Sequence, residues 1–278
     1  MKRQDKNEIK ATVRRYYGSI AARNSAGCGC KPSSCCEGVS VTSHHDKEAE
    51  KLGYTQQDVQ NVPAGTNLGL GCGNPTALAS LKLGETVLDL GSGAGFDCLL
   101  AAQRVGEKGF IIGVDFASQM IEKARVNAAH GGYTNVEFRL GEIEHLPVAD
   151  RSIDVILSNC VINLSPEKQK VFREIYRALK PGGRIAISDI ALKKQLPDKI
   201  RKSIYAYVGC VSGAVLIDEY IKALELSGLK HIKITAKQAS GCIDPDTNDP
   251  MGRAILDSLG NNNSLEEYIV SVYVEGRK

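Results

Sequence analysis

Between residues 86 and 190 the chain alternates two kinds of segment. Short apolar runs ("TVLDLG", "FIIGVDF", "VEFRLG", "IDVILSN", "RIAISDI") are interleaved with longer stretches of helical period ("FDCLLAAQRVG", "SQMIEKARVNAAHGG", "PEKQKVFREIYRALKPGG"). A strand that is apolar at successive positions must be covered on both faces, and helices crossing between strands supply that cover. The pattern therefore predicts an α/β fold around a mostly parallel sheet with helices on both faces. The flanks add to it. Ile9, Val13, Tyr16, Tyr17 and Ile20 recur at helical spacing, which predicts a helix over 6–23. Residues 46–61 read as two helical pieces broken at Gly53, with Thr55 and Asp58 spaced as a capping box. "TALASLKL" reads as a helix ended by Gly84, and Ser118 as a helix N-cap. Helical segments near 198–208 and 217–227 precede "HIKITAK" and "EYIVSVYVEG", two strands expected to pair antiparallel.

"VLDLGSGAGFD" places Gly91, Gly93 and Gly95 between the first strand and its helix, where backbone can approach a ligand and helix N–H groups are unpaired. Asp115 ends the second strand, in reach of ribose hydroxyls. A dinucleotide site wants G-x-G-x-x-G and a pyrophosphate at the helix N-terminus. Here the third glycine comes one residue early, and the Asp89 carboxylate would repel a pyrophosphate. A nucleoside ligand carrying an ammonium and a sulfonium, S-adenosylmethionine, suits the loop better.

The formal charge of +3, without a Lys/Arg-rich block, argues against nucleic-acid and membrane partners. With no signal-like or membrane-length apolar run, the expected location is cytoplasmic. Nine cysteines in such a chain point to reduced thiols used for chemistry or metal binding rather than a disulfide framework. Cys160 in "SNCVINL" follows the fourth strand, Cys210 in "YVGCVSGA" follows the fifth, and the "GLGCGNP" loop carrying Cys72 could cover both. Three thiolates beside a methyl donor suit a soft acceptor. Zinc is the alternative for the N-terminal "CGC…CC" cluster, although tight C-x-x-C pairs are absent. Cys98 and Cys242 read as structural or incidental, and His44 and His45 as solvated.

"DLGSGAGFD", "GVD" and "ALKPGG" together resemble class I S-adenosylmethionine-dependent methyltransferases over residues 84–190. The resemblance implies their Rossmann-like seven-stranded sheet, with a last antiparallel strand. It also implies Asp89 near the methionine amine, Asp115 on the ribose, Phe116 against the adenine, and Ile143 and Glu144 at its edge. "YYG", "GCG", "SNCVINL" and "GCVSGA", in that order, resemble the arsenite S-adenosylmethionine methyltransferases. That family implies As(III) bound by Cys72, Cys160 and Cys210, with Asn159 fixing the methionine end of the cofactor. It further implies Cys36 or Cys35 pairing with Cys72 during redox cycling, and thioredoxin or glutathione as the resetting thiol reductant. Arsenite and methylarsenite are the expected substrates, and detoxification the expected role. Residues 1–70 are then expected to form an N-terminal helical and Cys-loop cap, and 71–278 the methyltransferase domain. The alternatives are a methyltransferase for a small organic metabolite, which would tolerate Cys160→Ser, and a non-enzymatic thiol metalloid-binding protein. The latter would leave Asp89, the glycines and Asp115 without a role.

Overall fold

The computed structural model describes residues 6–23, 41–237 and 265–278, with side chains left out at 23 and 41–44. Cys28, Cys30, Cys35, Cys36, Cys242 and the His44 side chain lie outside the described residues. The chain runs α1 (Lys6–Arg23), α2 (Val41–Lys51), α3 (Gln56–Gln60), α4 (Pro75–Leu78), β1 (Thr86–Leu90), α5 (Phe96–Val105), β2 (Phe110–Asp115), α6 (Ser118–His130), β3 (Val136–Leu140) and β4 (Ile153–Asn159). A 3₁₀ turn (Ile162–Leu164) follows, then α7 (Lys168–Ala178), β5 (Leu179–Leu192), α8 (Asp198–Arg201), α9 (Ile204–Val208), α10 (Ile217–Leu226), β6 (Lys230–Lys237) and β7 (Ile269–Arg277).

The seven strands form one sheet in the order β3-β2-β1-β4-β5-β7-β6. β1 through β5 pair parallel, while β7 lies antiparallel between β5 and β6. The last strand in sequence is thus antiparallel as expected, but it is inserted inside the sheet and β6 takes the edge. Val87 and Leu88 of β1 and Val155, Ile156 and Leu157 of β4 are wholly buried, as a sheet covered on both faces requires. One core lies under α7 and α10, where Phe172 meets Tyr220 with ring centroids 5.4 Å apart. The other lies under α5 and α6.

Three local readings change. "TALASLKL" gives one helical turn, Pro75–Leu78, because Asn74 caps it and Ser80 turns the chain at φ +46°. The N-cap of α6 is Ala117, with Ser118 the first helical residue; the Asp115 carboxylate accepts the Ala117 N–H and so fixes the entry to the helix. The segment near 198–208 divides into α8 and α9. The capping box of Thr55 and Asp58 forms at the start of α3.

Candidate active site

The carboxyl ends of β1, β2 and β4 open onto two clefts that share Gly91. One, of about 380 Å³, is lined by Asp115, Phe116, Ile143 and Glu144, the residues expected around a ribose and adenine. The other, of about 610 Å³, is lined by Asp89, Ser92, Gly93, Asp97 and Asn159, among them the two residues, Asp89 and Asn159, expected at a methionine end. Gly91 has φ +67°, and a Cβ there would lie 2.5 Å from the Val161 side chain, so the position shared by the two clefts requires glycine. Gly95 sits behind them as the left-handed N-cap of α5.

Asp115 is fixed from both sides. Its carboxylate accepts the Gly93 N–H at 3.0 Å and the Ala117 N–H at 2.9 Å. Burial pushes its pKa up to about 6 against those backbone hydrogen bonds. Asp97 is likewise raised to about 6 by burial, opposed by hydrogen bonds from Asn159 and Tyr54. Asp89 is raised well above the ordinary carboxylate value by burial and then by the Asp97 charge, while the Cys98 thiol opposes the shift by donating to it at 3.2 Å. Cys98, read as structural or incidental, supports a cleft acid from within α5. Two buried acids, Asp89 and Asp97, in one cavity, with Asp115 in the cleft beside it, favour a cationic occupant, which would return them to their charged forms. Ser92 Oγ is buried in the same cavity without a hydrogen-bond partner, a further polar atom available to a ligand. These residues fit S-adenosylmethionine.

Glu144 does more than edge the adenine cleft. It accepts from Ser165 Oγ at 2.7 Å and pairs with Lys10 Nζ at 3.1 Å, and Lys10 also holds Glu142 at 2.8 Å. Burial would lower the Lys10 pKa, but the two glutamates outweigh it and raise it. Lys10 lies on α1 and lines the cleft, a contribution that helical spacing alone did not reveal. His45, read as solvated, is half-buried, and its ring stands beside Gly69 of the cysteine loop.

The three expected thiols converge. Cys72 and Cys160 are joined as a disulfide with Cα atoms 5.9 Å apart, and Cys210 Sγ donates to the Cys160 carbonyl at 2.9 Å. All three are buried in one cluster with Leu164, Ile190 and Val211. Cys160 and Cys210 both adopt left-handed backbone, at φ +58° and +63°, a conformation few non-glycine residues take. At Cys160 it turns the end of β4 into the 3₁₀ turn, with the Cys160 N–H held by Ser188 O at 2.8 Å. Cys35 and Cys36, implied as redox partners of Cys72, lie outside the described residues. Cys72 is bonded to Cys160 here, and Asn159 holds the Cys72 loop beside the end of β4.

Asn159 makes that link with both ends of its amide. Its Oδ1 accepts the Cys72 N–H at 2.9 Å, and its Nδ2 donates to Gly73 O at 2.9 Å, Asp97 at 3.0 Å and Tyr54 Oη at 3.1 Å. A Cβ at Gly71 would meet this amide at 2.8 Å, so the loop packs against it as bare backbone. Asn159 lines the second cleft, and its hydrogen bonds are shared between the thiol loop and the Asp97–Tyr54 pair. Tyr54 and Asp97 were missed; Asp97 stood within the quoted "DLGSGAGFD", and nothing in sequence placed Tyr54 against it. Tyr17 Oη donates to Val208 O at 3.0 Å and also bonds the Cys210 side chain, tying α1 to the third thiol. Its "YYG" motif had been quoted for the family resemblance, without a contact. Among the described residues no His/Cys/Asp/Glu group forms a metal site, and no helix is long and apolar enough to cross a membrane.

Residues 81–233 match a methyltransferase domain family. An arsenite methyltransferase of Halobacterium salinarum is 44% identical across 99% of this chain and 68% of its own length. The human arsenite methyltransferase is 35% identical over 75% of this chain and 54% of its own length, so this chain spans little more than half of it. The crystal structure of an arsenic(III) S-adenosylmethionine methyltransferase from Chlamydomonas reinhardtii superposes with a TM-score of 0.57 at 30% identity, covering 84% of this chain and 72% of that one. A [4+2]-cyclase, at 17% identity and a TM-score of 0.63, shares the fold alone. The chain belongs to the arsenite methyltransferase family, on the class I methyltransferase fold.

Proposed function

We infer that this chain transfers the methyl group of S-adenosylmethionine to As(III) held by Cys72, Cys160 and Cys210. The observation that carries the reading is the meeting of these three cysteines at one point beside an acidic cleft. When bound, S-adenosylmethionine supplies an electrophilic methyl on a positively charged sulfonium. Asp115 would hold the ribose, Phe116, Ile143 and Glu144 the adenine, and Asp89 with Ser92 the methionine end. Gly91 and Gly93 supply close backbone. Asp89 and Asp97 favour the cationic donor over its neutral product by charge.

As(III) on three sulfurs keeps a lone pair, which attacks the methyl carbon; the protein contributes orientation more than proton transfer. Gaining the methyl raises arsenic formally to As(V). Two cysteine thiolates return two electrons to arsenic and leave as a disulfide, giving methylated As(III). The Cys72–Cys160 bond is read as this oxidised form. A thiol reductant, of the thioredoxin or glutathione kind, resets it, and Cys35 or Cys36 relays the disulfide from Cys72 toward the N-terminal loop.

The test is speciation of arsenic after incubating purified protein with arsenite, a thiol and labelled S-adenosylmethionine. Label is expected in methylarsenicals, and its absence above an enzyme-free control would overturn the reading. Turnover unchanged in Cys160→Ser would instead favour an organic acceptor. The relay has its own check: Cys35→Ser/Cys36→Ser is expected to keep activity on methylarsenite and lose much of it on arsenite.

A further inference from the structure

The loop carrying Cys72 is a wall between two clefts of opposite charge. On its front, Gly69, Leu70 and Gly71 line the cofactor cavity with Asp89 and Asp97. On its back, Cys72 and Gly73 line a separate cleft of about 320 Å³ with Ser188, Tyr273, Lys51 and Lys237. No acidic side chain lines this rear cleft among the described residues. Lys51 ends α2 and Lys237 ends β6; both are exposed, and Lys237 Nζ sits 4.2 Å from the centre of the Tyr273 ring, which holds the ammonium at the cleft. Cys72 is 4% exposed, and its sulfur lies 3.6 Å from Ser188 Oγ, itself part of the cleft wall. Cys160 lines neither cleft.

We propose that the rear cleft admits an anionic low-molecular-weight thiol, which reduces the Cys72–Cys160 disulfide by attack on Cys72, a direct route beside the relay through Cys35 or Cys36, while Lys51 and Lys237 draw in its carboxylates. The proposal rests on reading that disulfide as the oxidised arsenic site. The incoming thiolate bonds to Cys72 Sγ, the Cys72–Cys160 bond breaks, and Cys160 leaves as a thiolate. A second thiol molecule attacks the external sulfur of the mixed disulfide and releases Cys72. Two thiols are oxidised to one external disulfide, and two electrons and two protons pass to the cysteine pair. A slender reductant suits a sulfur that is buried beside the cleft wall. The division also separates the chemistry: a cation enters the acidic front, an anion the basic back, and neither displaces the other.

The experiment measures reduction of the oxidised full chain by three probes: glutathione (anionic), dithiothreitol (uncharged) and cysteamine (cationic). Peptide mass spectrometry first maps the starting disulfide and then the trapped mixed disulfide. In Lys51→Glu/Lys237→Glu the glutathione rate is expected to fall at least about tenfold, the scale of electrostatic steering, while the dithiothreitol rate stays within about twofold and the cysteamine rate rises. Lys51→Gln/Lys237→Gln should give a smaller loss in the same order, and added salt should slow glutathione on the wild type. The glutathione adduct is expected on Cys72. An adduct on Cys160, an unchanged glutathione rate, or equal loss for all three probes overturns the proposal with the redox reading intact. A starting protein without the Cys72–Cys160 bond overturns both.

Discussion

The cofactor cleft and the thiol cluster touch at Asn159 and are built in opposite ways. The cleft draws most of its key residues from one contiguous stretch, Asp89 to Asp97, with Asp115 brought alongside by direct pairing of β1 with β2. The cluster gathers Cys72, Cys160 and Cys210 across sequence separations of 88 and 50 residues. Backbone geometry makes the first: glycines, strand ends and a helix start. Packing makes the second, through one amide spanning two loops and two cysteines held in left-handed backbone. The difference teaches that the two halves should fail separately, with Asn159 as the joint.

The largest expected effect is in the thiols. Cys210→Ser should lower methyl transfer to arsenite and methylarsenite by at least on the order of 100-fold, because a serine oxygen is a hard, poor ligand for As(III). Its affinity for S-adenosylmethionine, by calorimetry, should stay within about twofold; a comparable fall in cofactor affinity would merge the two halves. Asp115→Ala is the mirror case. Losing one hydrogen bond to a charged group costs about 1.5–3 kcal/mol, so the cofactor Kd should rise roughly 10- to 150-fold. Arsenite binding, followed by thiol titration, should not change.

Acidity probes the same contrast more gently. Burial raises the pKa values of Asp97 and Asp115, in neighbouring clefts, to about 6. A bound cation favours their ionised forms, so binding expels protons, and affinity must fall as pH drops through 6. The slope approaches about tenfold per pH unit for each proton released. Calorimetry in buffers of different ionisation heat should detect proton release between pH 5.5 and 7; proton uptake would contradict the charge assignment. The ligand-free fold has the opposite sign. A carboxyl pKa raised above its unfolded value contributes stability that is lost as pH rises from about 4 to 6.

The smallest effect is expected at the joint. Asn159→Ala leaves the Cys72 N–H unpaired and should cost about 1 kcal/mol in urea unfolding, the low end for a buried polar group, because Tyr54 still holds Asp97 at 2.7 Å. If Asn159 serves the thiol half, cofactor affinity should hold while arsenite turnover falls. Loss of cofactor affinity alone would assign it to the methionine end.

Much of the cofactor half was legible because it is periodic and local. The strands at 86–90, 110–115 and 153–159, the glycine loop and the acids at 89 and 115 all lie where pattern placed them. The α4 turn was overextended because the Asn74 cap and the left-handed Ser80 outweigh the helical propensity of the following residues. Lys10, Tyr17 and Tyr54 were invisible as site residues, since helical spacing reports which face is apolar and not what lies opposite it.

Sequence by itself determined the parallel strands and the glycine loop, because hydrophobic period and glycine placement act through neighbours a few residues apart; the family came from the resemblance of its cysteine motifs. It also named the three cysteines of the cluster. Only the tertiary structure decided that Cys72 and Cys160 bond to one another, that β7 sits inside the sheet, and that the Cys72 loop separates an acidic cleft from a basic one. Those outcomes depend on contacts between segments far apart in the chain, and no short-range pattern encodes which distant side chain completes a hydrogen bond or a sulfur pair.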